Sequence, residues 1–152
     1  MAAATPGRAA RFRIGFASML TVAALAASLA ARADQSCDPN DTGCLIFTGQ
    51  RAIPAHLRDD DRALPAWTTR CVNCHTATGS PSTAFAPPLT HDSLLLAASR
   101  RGGPPTAYDQ ASFCSVLRGG IDPAHVLLRK SMPLFQASDE DCAALWRFVA
   151  GR

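Results

Sequence analysis

The sequence predicts a small all-α domain. Three observations carry this. Cys142, Leu145, Trp146 and Val149 recur at the spacing of one helical face, and Phe113, Val116 and Leu117 do the same over a shorter stretch. No convincing run of alternating strand-forming residues occurs anywhere. The stretches between the apolar segments are punctuated by Pro and Gly, as loops are.

The chain opens with Arg8, Arg11 and Arg13, an apolar run from Ile14 to Ala31, and the small-x-small ending Ala31-Arg32-Ala33. That order reads as a secretory signal peptide over residues 1–33, cleaved after Ala33. An uncleaved anchor is the alternative, but the run is Ala-rich rather than strongly apolar. Cleavage leaves one domain at 34–152 in an oxidising, periplasmic compartment, with no stable membrane insertion. All 12 acidic residues follow residue 33, as do eleven of the 15 basic ones, so the formal charge of 34–152 is −1. Such a balance argues against nucleic acid and against electrostatic membrane binding.

Gly43 to Gln50 reads as a short helix carrying Leu45, Ile46 and Phe47. Arg51 to Thr69, with Pro54, Pro65 and the run Asp59-Asp60-Asp61, reads as a solvated loop. Thr90 or Asp92 caps a helix through Leu94-Leu95-Leu96 to about Ser99, ended by Arg100-Arg101-Gly102-Gly103-Pro104-Pro105. A further helix spans about Asp109 to Arg118 and stops at Gly119-Gly120. The last begins after Ser138, whose side chain is an N-cap, with Asp139, Glu140 and Asp141 in its dipole-favoured first turn, and ends at Gly151.

The chemistry concentrates in Cys71-Val72-Asn73-Cys74-His75. This is the spacing of a c-type haem attachment site: each thiol adds to one porphyrin vinyl group, and the histidine lies under the iron as an axial ligand. A redox pair would follow a strand and open a helix, and no clear strand precedes Cys71. A structural zinc site needs further ligands at short spacing, and His56, His91 and His125 are isolated. Four cysteines remain. They allow three connectivities, of which Cys37–Cys44, closing a small turn, and Cys114–Cys142, joining two helices, are favoured over free buried thiols. Met132 is the only methionine after residue 33, and its thioether is a soft ligand suited to the second axial position. A packing methionine, or a bis-histidine site using His91 or His125, is the alternative.

These residues resemble the class I cytochrome c family. Cys71 to His75 matches its haem motif and Met132-Pro133 its axial ligand loop, while Gly43 to Phe47 and the terminal helix are similar to its crossing helices. The resemblance covers most of 43–150 and implies an all-α class I cytochrome c fold, with short helices around one covalent haem c. It implies that the Pro87 carbonyl, in Ala86-Pro87-Pro88-Leu89, accepts a hydrogen bond from the His75 Nδ1, and that Trp146 meets Phe47. The chain departs from the family where Ala86 replaces Gly and where 51–69 separates the first helix from the motif.

The expected function is periplasmic electron transfer by one haem with His75/Met132 ligation, and no catalysis. Redox proteins are the expected partners, guided by a basic rim of Arg100, Arg101, Arg129 and Lys130. Two alternatives stand: the cytochrome subunit of a periplasmic dehydrogenase, with 51–69 as its interface, and a haem enzyme or gas sensor with an open or labile sixth site.

Overall fold

The computed structural model describes residues 37–75 and 86–151. The signal peptide reading therefore lies outside the described residues. Helix α1 spans Thr42–Thr48, with the Asp41 carboxylate accepting from the Cys44 N–H at its start and Gly49 closing it in the left-handed conformation. Strand β1 is Ala55–His56, and single 3₁₀ turns follow at Ala66–Thr68 and Cys71–Asn73. Helix α2 spans His91–Leu95, β2 Ala98–Ser99 and β3 Pro105–Thr106. Helix α3 runs Gln110–Gly119, β4 Leu134–Phe135 and α4 Asp139–Ala150.

The expected all-α class, and with it the all-α class I cytochrome c fold, is corrected here. Among the described residues four α-helices accompany two antiparallel two-stranded sheets, β1–β4 and β2–β3. The physical reasons are local. The helix expected to reach Ser99 stops at Leu95, because Leu96 takes an extended conformation. Arg101 and Gly102 both adopt positive φ, and Gly103 N–H bonds to the Arg100 carbonyl at 2.9 Å. Two successive left-handed residues make the primed turn that suits a hairpin, so Ala98–Ser99 and Pro105–Thr106 pair across it.

The second correction concerns 51–69. This stretch is not simply a solvated loop. Ile53 and Ala55 are buried in the core, Ala55 pairs with Phe135, and the Gln136 N–H bonds to the Pro54 carbonyl at 2.8 Å. Arg58 donates to the Leu128 carbonyl at 2.6 Å.

The core forms where α1 crosses α4 and α4 packs on α3, around Ile46, Phe47, Phe113, Leu117, Leu145 and Val149. Gly43 lies at the crossing: a Cβ there would stand 2.3 Å from the Ala144 carbonyl oxygen and 2.5 Å from the Phe148 Cβ. This close approach settles the aromatic pairing differently from the expectation. Phe47 meets Phe148, at 5.5 Å between ring centroids, not Trp146. Helix α4 turns its Ala144/Phe148 ridge, spaced i and i+4, to α1, while Trp146 pairs with Phe113 of α3 at 5.3 Å. Both favoured disulfides are present, Cys37–Cys44 and Cys114–Cys142. No helix among the described residues is long and apolar enough to cross a membrane.

Candidate functional site

The turn at Cys71–Asn73 is built by short local bonds. Cys74 N–H and His75 N–H both reach the Cys71 carbonyl, at 3.2 and 2.8 Å. The Asn73 amide donates to the Trp67 carbonyl at 2.9 Å, tying this turn to the preceding one. The winding brings Cys71, Cys74 and His75 together on one wall of a cavity of about 350 Å³. Met132 lines the same cavity from a separate segment, with Leu94, Phe113, Val116, Leu117, Phe135 and Leu145 among its apolar walls. That volume lies in the range of cofactor and small-molecule pockets.

Cys71 and Cys74 are free thiols, whereas the other four cysteines are paired. Burial, reinforced by the neighbouring Cys74, pushes the Cys71 thiol up to about 11. A redox-active or thiolate-reactive cysteine needs the opposite shift. The thioredoxin-like alternative is also disfavoured by the local structure, a 3₁₀ turn in place of a helix start.

His75 is held from behind. Its Nδ1 lies 2.7 Å from the Pro87 carbonyl oxygen, an acceptor only, so Nδ1 carries the proton and Nε2 keeps its lone pair. Burial lowers the imidazole's affinity for a second proton, against the opposing pull of the Pro87 carbonyl. The imidazole is thus kept in the neutral, ligating form with a fixed tautomer. The Pro87–Pro88 segment is fastened in turn: Ser93 Oγ donates to the Pro88 carbonyl at 2.6 Å, and Ser93 forms a reciprocal capping box with Thr90 at the start of α2.

Met132 is half-buried just before β4, its N–H bonded to the Arg129 carbonyl at 3.0 Å. The β1–β4 ladder anchors this segment, so 51–69 positions Met132 rather than standing apart from the site. Neither His91 nor His125 lines the cavity, and both are exposed.

No family model, no curated protein and no solved structure matches this chain. What the site can do is therefore argued from its own geometry. No group of three or more His, Cys, Asp or Glu among the described residues is arranged to hold a metal ion. His75 Nε2 and the Met132 thioether are among the groups on the cavity wall that can ligate iron, beside the Cys71 and Cys74 thiols, the Tyr108 phenol and the Asp122 carboxylate.

The expected basic rim is partly assembled. Arg100, Arg101 and Arg129 line the cavity. Arg100 lies 5.0 Å from the Tyr108 ring centroid and donates to the Ser93 and Thr106 carbonyls, and Arg101 donates to the Leu127 carbonyl at 3.0 Å. These partners are carbonyls and a ring, and among the described residues neither arginine forms an ion pair. Lys130 instead faces Asp59 at 3.6 Å.

Tyr108 and Asp122 are among the cavity residues that sequence reasoning did not single out. Tyr108 is the only tyrosine of the chain, and Asp122 is a buried carboxylate. The uniqueness of the first, and an Asp-Pro step just after a glycine pair for the second, were the available signals.

Proposed function

We propose that the chain is a monohaem c-type cytochrome that transfers electrons, with haem c attached through Cys71 and Cys74 and ligated by His75 and Met132. The observation that supports this most is the convergence of two unpaired thiols, a neutral imidazole and a thioether on one apolar cavity. These residues fit the group. Cys71 and Cys74 would anchor it covalently, His75 and Met132 would ligate its iron, and the apolar walls would exclude water. A bound haem iron would supply reversible one-electron chemistry. The Pro87 carbonyl orients the ring of His75 and raises its basicity, and the β1–β4 ladder holds Met132.

With His75 and Met132 both engaged as its ligands, a bound haem would offer no site to a substrate, which favours a carrier over an enzyme. Export to the periplasm, cleavage after Ala33 and a redox protein partner, a periplasmic dehydrogenase included, belong to the same proposal. The two disulfides support an oxidising compartment.

The test is an absorption spectrum of the haem-loaded protein, oxidised and reduced, with and without carbon monoxide. The reduced wild type is expected to be low-spin and indifferent to carbon monoxide, and Met132→Ala to bind it. Carbon monoxide binding by the wild type would displace this reading in favour of a sensor or enzyme with an open sixth site.

A further inference from the structure

Asp122 is 3 % exposed and lines the cavity. Its Oδ1 accepts from the Ala124 N–H at 2.9 Å and the Val126 N–H at 2.8 Å, which closes the turn between Gly120 and Leu128. Its Oδ2 is buried and has no hydrogen-bond partner among the described residues. A turn needs only the first oxygen. An asparagine, or a serine hydroxyl, forms the same turn without placing a carboxylate in an apolar wall. The charge is therefore a feature that the turn does not explain.

We propose that Asp122 is a positioning residue for charge, a fixed anion beside the redox centre that biases it toward the oxidised state. This rests on the haem reading above. In a low-dielectric wall an anion stabilises the extra positive charge of ferric iron over ferrous, and water screens it little. Three other polar groups of the wall share this region. Arg100 and Arg101 come from the β2–β3 hairpin, and Tyr108 from the approach to α3. Tyr108 senses all of them: burial raises its phenol above the ordinary value, the Asp122 charge adds to the rise, and the two arginines oppose it. His125, on Asp122's own turn, is exposed and does not line the cavity.

The experiment compares the holoprotein with Asp122→Asn by two readings. The midpoint potential of the variant is expected to rise, with the ferric/ferrous ratio at a fixed applied potential falling about tenfold, or about 59 mV for one electron. The phenol of Tyr108, followed by NMR of ¹³C-tyrosine as the chain's single tyrosine, is expected to titrate at lower pH than in the wild type. A purely structural Asp122 moves neither. Should Asp122→Asn fail to fold, Asp122→Ser keeps an oxygen for the turn and carries the same expectation. A haem-loaded variant with wild-type potential overturns this inference alone. A wild type without covalent haem overturns the electron-transfer reading, and this one with it.

Discussion

Gly43→Ala tests the helix crossing on which the core depends. The added methyl would lie 2.3 Å from the Ala144 carbonyl oxygen and 2.5 Å from the Phe148 Cβ. Neither atom is the tip of a flexible side chain, so relief requires α1 and α4 to separate. Separation loosens the Phe47–Phe148 pair and the packing of Ile46 and Val149. Overpacking of this kind costs about 1–3 kcal/mol, and backbone contacts place it near the upper end. Replacing a helical glycine by alanine returns up to about 1 kcal/mol. The expected net loss is about 2 kcal/mol, or about 8 °C in Tm for a domain of this size. Gly119→Ala is the control: nothing lies within 4 Å of its Cβ position, and its backbone is not left-handed. It is expected to leave Tm unchanged or raise it slightly. Thermal unfolding followed by circular dichroism reads both. An unchanged Tm for Gly43→Ala refutes the close crossing.

Removing the Cys114–Cys142 disulfide with paired alanines should cost more than removing Cys37–Cys44. The bridged residues are 28 and 7 apart, and loop-closure entropy then predicts about 3.6 against about 2.4 kcal/mol; urea unfolding of the two variants orders them. Asp109 caps α3 in a reciprocal box with Ser112, so Asp109→Ala is expected to cost about 1 kcal/mol. The hydrogen bond from the Ser112 side chain, followed by that from its backbone, holds the Asp109 carboxyl below its ordinary value. Its contribution is thus fully present above the unfolded carboxylate range, near about 4, and is lost as pH falls through the lowered folded value. Asp109→Asn should keep the cap and lose that acid sensitivity in a pH series of Tm. Pro87 contributes through its carbonyl, so changing it to alanine is expected to preserve the His75 hydrogen bond, read by the ¹⁵N shift of the His75 Nδ1.

How much was legible in the sequence depended on how local the determinant was. The cap at Ser138 depends on a residue three positions away, and its helix begins where that side chain indicates, while the helix expected from about Asp109 begins at Gln110. The stripe from Cys142 to Val149 marked the buried face of α4, and its phase placed Cys142 toward α3. Two-residue strands carry no usable periodicity. Ile53 and Ala55 do alternate with an exposed Pro54, but their partner at Leu134–Phe135 is far along the chain. Arg100 to Gly103 was readable as a helix stop but not as a hairpin turn, since that requires knowing that Arg101 tolerates positive φ. At the site, the thiols, His75 and Met132 were recognisable by residue type and spacing, and Pro87 only through the family resemblance. Tyr108 and Asp122 were not, because only the folded chain brings them to the cavity.

The most direct test of the central claim is the intact mass of the protein produced with haem-attachment machinery. The account predicts one haem added, borne on the peptide containing Cys71 and Cys74, and lost when both are changed to serine. An unmodified mass, or a Cys71–Cys74 disulfide in its place, would contradict it.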